Sequence, residues 1–508
     1  MRPNFAMTVP VPSTAAGDDD AGMPEKSLAA RVAAGPGAWE DEEWLADLRR
    51  ESLAEALLAD GTVAAAAGAD HDHRQERALN AEVTALCLVT GALFPVLGYD
   101  SVLALVFGLP GVPVRPGTPV PTAPAYSKAR VRSGESPARA MFETDAARTD
   151  IPAGDDGSAF GLELTQIDGT TLELFNDPVL AEESGVPAPG AKPLLRLVGL
   201  LHAGTRRRRA AVVGRYLDGE NALADGLEEY FGPGQLNLAD RGFFSMDRWI
   251  RFSAAGAHLP WRVRNGAKCV PFKTLEILKD GSELVLLRES SGMRTRRRKA
   301  AGDKTLPYLP GTVARLACFT VLTRTRSGRT RTTQVRLLTT LLDPDLCPAA
   351  ELAVLYGKRW IIEIAFLHLK RTVRGAGKTL RGRSPELARQ EARALLLAHN
   401  IIAGLAARAA AAGLVPGQIV FTAVLSLARA AVTADTCCPH CGKRPTSAND
   451  PAAALDADVA ALPPGRTGRQ RTSGRTAVQR RTWTSEPADY TITIIPSNLP
   501  KTDVSLRS

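Results

Sequence analysis

The stretch "YGKRWIIEIAFLHLK", residues 356–370, is apolar except at a few places, and four of these, Tyr356, Arg359, Glu363 and Lys370, are spaced in a way that a helix would notice. At about 100° per residue they fall at roughly 0°, −60°, −20° and −40°, one narrow stripe. Ile361, Ile362, Ile364, Ala365, Phe366 and Leu369 cover most of the remaining circumference, which predicts a buried helix. A carboxylate and two cations are thereby placed beside a core, which is costly unless they pair with one another, bind a metal or meet a charged ligand. An ion pair between Arg359 and Glu363 at i, i+4 spacing is the plainest of these explanations, so the rest of the chain has to decide.

At 508 residues the chain is long enough for a large core and more than one domain. Its net charge is +9, and the excess is clustered: "RRRR" at 206–209, "RTRRRK" at 294–299, and a tail with Arg466, Arg469, Arg471, Arg475, Arg480 and Arg481. Such clusters suit a polyanion, nucleic acid first and an anionic membrane surface second, or else they are solvated strand faces and tail. The amino terminus has no long apolar core followed by a cleavage site and is not expected to be a secretory signal. Between Val83 and Leu109 the chain is apolar, but Gly91, Pro95, Gly98 and Asp100 divide it, so two packed helices are expected rather than a membrane span. Seven cysteines, mostly in apolar surroundings, suggest a reducing cytoplasm.

Composition divides the chain further. Residues 1–26 read as a disordered leader and 27–107 as a helical domain; 108–159 holds a Pro-rich linker and two short basic helices around Gly134. Residues 160–265 mix strands and helices. "GLELTQIDGTTLELF" predicts a hairpin around Asp168-Gly169; two further strands, a helix, a buried strand "GQLNLAD", a helix capped by Ser245 and a strand "HLPWRVRN" follow. Consecutive strands, then helix, strand, helix, strand is the order of a ribonuclease H-like core. Residues 266–345 read as an almost wholly β insertion, with hairpins around "KDGS" and "RSGR"; 346–412 returns to the core with the charged helix, and 413–508 holds a helix, a cysteine cluster and the basic tail.

Asp168 and Asp240 each end a predicted strand. Singly, each has a bland explanation, a hairpin turn for the first and a helix cap for the second. With Glu363 they form three carboxylates from three elements able to converge at one sheet edge, the oxygen-ligand set that hard divalent cations require. Two such ions clamp the attacking and leaving oxygens of a phosphodiester, and Arg359 and Lys370 would then face phosphate.

The spacing Tyr, two residues, Arg, three, Glu, six, Lys resembles the Y-R-E-K signature of bacterial insertion-sequence transposases of the DDE class, the insertion sequence four family. "IDGTTL" around Asp168 and "LADRGFFS" around Asp240 resemble its two aspartate blocks, "LRGRSPELARQEARALLLAHNII" the helix pair after its glutamate, and "LFPVLGYDSVLALVFG" its amino-terminal helical domain. The resemblance implies an α/β fold, a ribonuclease H-like core with a β-rich insertion and a helical amino-terminal domain for DNA binding or dimerisation. It implies that Asp168, Asp240 and Glu363 hold two magnesium or manganese ions, and that Tyr356, Arg359, Lys370 and Arg374 contact DNA. By the same resemblance the element's ends are excised and joined to target DNA, by a dimer on DNA in the bacterial cytoplasm; a catalytically inactive DNA-binding descendant is the alternative. The cluster Cys437, Cys438, His440 and Cys441 contains a CxxC of zinc-ribbon type, yet no Cys or His follows to supply a second half, so zinc is the weaker reading there. Trp261 and Trp360 could stack on an extruded base or fill a core.

Overall fold

The computed structural model describes residues 61–435 and 490–494, apart from 70–76, 110–111, 116, 152, 154–156, 266–269, 325–329 and 412–420. The leader, residues 27–60, the cysteine cluster and the basic tail therefore lie outside the described residues. The chain starts with helices α1 (Ala64–Gly68), α2 (Ala81–Leu93), α3 (Tyr99–Gly108), α4 (Ala123–Ser133) and α5 (Ser136–Ala146). Helices α2 and α3 divide the apolar stretch as expected, and no helix among the described residues is long and apolar enough to cross a membrane.

Strands β1 (Ser158–Ala159) and β2 (Leu162–Glu173) lead through α6 (Pro178–Ser184) to β3 (Leu194–His202) and β4 (Arg208–Arg215). Then come α7 (Glu220–Asp225), β5 (Gln235–Ala239), α8 (Met246–Ala254) and β6 (Trp261–Val263), with Ser245 capping α8 through the Arg248 N–H. Strands β7 (Phe272–Ile277) and β8 (Glu283–Leu287), helix α9 (Ser291–Ala301), and strands β9 (Thr312–Arg324) and β10 (Thr330–Thr339) precede the charged segment. That segment forms α10 (Ala349–Gly357), α11 (Trp360–Leu367) and a π-helical turn (His368–Val373), followed by α12 (Pro385–Ala411), α13 (Phe421–Asp435) and β11 (Tyr490–Ile494).

The strands join in one mostly antiparallel sheet, in the order β4-β3-β2-β5-β6-β10-β9-β8-β7, with β5 parallel to β2 and β6 parallel to β5. Alternation along β2 sorts its side chains. Leu164 shares a cluster with Leu236, Leu238 and Leu355, on the face covered by α10. Ile167 points the opposite way, into a core with Trp249, Phe252 and Trp261 around α8. The amino-terminal helices pack with α12, α13 and Leu172, Leu195 and Leu197 of the sheet in the largest cluster.

Three expectations are corrected, and two questions that the sequence left open are decided. "GLELTQIDGTTLELF" is one continuous strand, not a hairpin: β2 pairs with β3 from Thr165 to Glu173, through Asp168 and Gly169, so the Asp-Gly pair is held extended by its neighbour. The 266–345 segment is not wholly β. "RTRRRK" lies on α9, started by a Ser290 cap and stopped by left-handed Gly302. "RRRR" is not a solvated face, because Arg207 pairs with Asp145 at 2.8 Å in the interior and Arg208 is fully buried. Residues 385–411 form one helix, not a pair. Trp261 is a core residue, edge-on to Phe252 and donating to Asn237 Oδ1 at 3.1 Å, and offers no face to a base.

Candidate active site

Register brings the two aspartates together. In the parallel pairing of β2 with β5, each residue from 163 to 167 faces the one 72 positions later, ending with Ile167 opposite Ala239. Asp168 and Asp240 follow in step on neighbouring strands, which lie about 4.8 Å apart. By alternation Asp168 lies on the face of Leu164, and Asp240 on that of Leu236 and Leu238, the face that α10 covers.

Glu363 reaches the same face because of one residue that sequence reasoning passed over. Gln166, fully buried on β2 two residues before Asp168, donates from Nε2 to the Lys358 carbonyl at 2.8 Å and accepts from the Ile362 N–H at 2.9 Å. It straddles a break in the charged helix. The expected continuous helix is not formed: at residues 358–361 hydrogen bonds tighten to three-residue spacing, and after Leu367 they widen to the π turn. A glutamine in a strand of apolar alternation was the available signal.

The acids are bridged by cations and a phenol. Arg359 donates to Glu363 Oε1 at 2.7 Å and stands 3.7 Å from Asp168 Oδ2. The Tyr356 hydroxyl donates to Asp240 Oδ1 at 3.3 Å, and Arg262, also missed by the sequence reading, reaches the same oxygen at 3.5 Å. Burial pushes the Asp168 carboxyl up to about 6, against the Gly169 N–H at 2.8 Å and the Arg359 guanidinium, while Glu363 and Glu220 add to the rise. Burial, Arg374 and Arg371 lower the Lys370 ammonium, which Asp168 partly offsets. The bland ion pair therefore exists, but as one strand of a larger knot. Arg374 stands apart from the acids, with its buried Nε and Nη1 lacking partners among the described residues.

A fourth carboxylate also lies here. Glu220, at the start of α7, lies so close against Gly169 that a Cβ there would overlap its carboxylate. Burial raises its pKa, Arg196 opposes that, and Asp240 adds to it.

The donor set suits a hard divalent cation in kind, since Asp168, Asp240 and Glu363 offer oxygen alone. Among the described residues no three Asp, Glu, His or Cys side chains stand close enough together to hold one ion, because the Arg359 guanidinium lies between Asp168 and Glu363.

A sheet presenting paired aspartates beside a helix with glutamate, arginine and lysine defines an acid-rich α/β protein, and residues 217–401 match the transposase DDE domain family. The chain is thus similar to transposases, one of the IS4 type among them. It is 32% identical, over 285 residues, to the transposase InsG for insertion sequence element IS4 of Escherichia coli (strain K12), covering 55% of this chain and 60% of that one. A putative transposase InsZ of the same organism is 27% identical over 142 residues, 27% of this chain and 48% of its own length. The chain thus spans about half to three-fifths of these curated relatives. Among solved structures, the piggyBac transposase synaptic complex with hairpin DNA aligns with a TM-score of 0.40 and 10% identity, over 82% of this chain and 86% of that one. The family match includes Asp240 and Glu363 and starts after Asp168.

Proposed function

We propose that this chain is a DNA transposase that cleaves phosphodiester bonds at the ends of an insertion sequence and joins the 3′-OH ends to target DNA. The observation that carries the reading is the register of Asp168 with Asp240, combined with the Gln166 clamp that sets Glu363 over the same face. The strand order β4-β3-β2-β5-β6 with α7, α8 and the charged helix supports a ribonuclease H-like core, and the helices before β1 support an amino-terminal domain used in DNA binding or dimerisation.

In this reading Asp168, Asp240 and Glu363 hold magnesium or manganese, which DDE transposases generally use. When bound, such ions supply an activated nucleophile and charge for the departing oxygen. The chain's own contribution is positioning. Arg359 and Lys370 face the phosphates beside the acids, and Tyr356 holds Asp240 and orients the strand near it. The Arg359 fork that grips Glu363 also suits phosphate, whose oxygens can accept from its parallel N–H donors. The partners are double-stranded DNA at the element ends and the target, with a dimer bridging two ends, in the bacterial cytoplasm.

The test is cleavage of a labelled duplex carrying the element's end, with magnesium or manganese, by the intact protein and by Glu363→Gln. Metal-dependent nicking that the variant loses while still binding DNA supports the transposase. Tight binding without cleavage by either protein favours a catalytically inactive DNA-binding descendant, and equal cleavage by both removes Glu363 from the chemistry.

A further inference from the structure

Past the π turn the chain enters "RGAGKTLRGR", residues 374–383, which the acid site does not use. Gly375 and Gly377 adopt left-handed conformations at φ of 90° and 75°, open to glycine at little cost, and the Leu380 N–H donates to the Glu173 carbonyl at 3.0 Å, tying this loop to the end of β2. Between the loop and the helices α2, α3 and α4 lies a cavity of about 450 Å³, within the size range of small-molecule clefts.

Its lining divides into two kinds. Phe175, exposed at 37%, and Tyr99 supply aromatic surface, and the Arg383 guanidinium lies 4.7 Å over the Phe175 ring. Arg374 and Lys378 supply charge. The other cations of the wall are already engaged: Arg381 donates to the Pro95 and Leu97 carbonyls, and Arg130 pairs with Glu391 at 2.7 Å. Arg374 is different, because its Nε and Nη1 are shielded from solvent and meet no acceptor among the described residues. A half-buried guanidinium with two unpartnered donors carries a desolvated charge, part of whose cost an anion seated beside it would offset.

We propose that this cavity binds a nucleoside phosphate, its phosphate on Arg374 and Lys378 and its base against Phe175, and that the nucleotide is an unpaired one in a DNA strand. The base lies on an aromatic face, which tolerates any base, while the fork of Arg374 suits phosphate. The strand source rests on the transposase reading. Glu173 lies five residues along β2 from Asp168, roughly 17 Å, so the pocket receives a nucleotide some positions away from the one at the acids.

The experiment is equilibrium binding to the full chain, without added metal, of deoxyadenosine 5′-monophosphate, deoxyadenosine, inorganic phosphate and a short oligothymidylate. The monophosphate is expected to bind more tightly than deoxyadenosine or phosphate alone, and the oligothymidylate more tightly still. Arg374→Ala and Phe175→Ala are each expected to weaken both by about tenfold. Lys378→Ala, at an exposed position, checks the phosphate arm without touching the packing, and unchanged melting of all three variants shows that they fold. Monophosphate binding no tighter than phosphate, or unaltered in all variants, overturns the pocket. A monophosphate that outcompetes the oligothymidylate overturns the strand source. Loss of cleavage in Glu363→Gln reads the acid site and these affinities read the pocket, so a failure of the cleavage reading and a failure of the pocket give different results.

Discussion

Replacing Gln166 by leucine tests how Glu363 is held over the aspartates. The side chain keeps its bulk but loses both its donor and its acceptor. Two backbone groups are orphaned, the Ile362 N–H in a fully buried position and the Lys358 carbonyl in a partly buried one. A buried group left unsatisfied costs about 1–3 kcal/mol, so with the partly buried carbonyl at the low end the loss is about 2–4 kcal/mol, a large share of ordinary stability. Gln166→Glu keeps the acceptor for Ile362 but buries a carboxylate facing the Lys358 carbonyl, so its loss at neutral pH is expected to be at least as large, and to shrink as pH falls below the carboxyl's pKa, where a proton restores a donor. Urea midpoints at unchanged slope give these values, and end cleavage at saturating DNA reports the second consequence. With α11 no longer clamped to β2, Glu363 drifts from Asp168, so the turnover rate falls while DNA affinity holds. A leucine variant within about 0.5 kcal/mol of the parent, cleaving normally, would refute the claim that Gln166 sets the catalytic helix.

Further outcomes follow from the charges. Burial raises Asp168 to about 6 against an ordinary 3.8, so its neutral form contributes stability that is full below pH 3.8 and lost as pH rises through 6; Asp168→Asn should therefore raise the urea midpoint at pH 8, leave it nearly unchanged near pH 4, and abolish cleavage. His202 behaves in the opposite sense. Its Nδ1 accepts from the Thr205 N–H at 3.0 Å, and burial, Arg209 and Arg207 hold its pKa down at about 4, so stability is expected to fall from pH 6.5 to 4, with a smaller fall in His202→Gln. Arg208, fully buried with Nε and Nη2 unpaired among the described residues, donates to His399 Nδ1 at 2.9 Å and lies over Phe366; Arg208→Met is expected to change stability by no more than about 1 kcal/mol in chemical denaturation, because removing a desolvated charge offsets the lost contacts.

Much of the site was legible because it is written in short-range spacing. The interval from Tyr356 to Lys370 predicted charge beside a core, and the apolar runs before Asp168 and Asp240 predicted buried strands. The errors arose where long-range pairing overrode local preference. Asp-Gly is a strong turn former, yet pairing with β3 holds it extended, and Gly169 serves instead to let Glu220 approach. The basic runs deceived for a related reason. Arginine clusters read as solvent-facing, but Arg207 finds Asp145 from α5, 62 positions earlier, and no local pattern announces such a partner. Gln166 and Arg262 were invisible as site residues because their roles depend on a helix and a strand end that meet them only in the folded chain.

Arg359 is where the structural and functional explanations of the opening stripe meet. Three carboxylates on one face repel one another, and although burial does most to raise Asp168, Glu363 adds to the rise. One guanidinium held between Asp168 and Glu363 neutralises part of that field, so the chain folds with its acids already gathered. A lysine there could not serve as well, since a single ammonium lacks the planar fork that spans two acceptors. The same fork suits phosphate, so in the proposed reaction Arg359 turns from Glu363 to the DNA backbone. The ion pair that looked like an alternative to function is thus the resting form of the functional contact: Arg359→Lys should bind the element's end but cleave it poorly, whereas a purely structural pair would lose stability and leave cleavage per folded molecule intact.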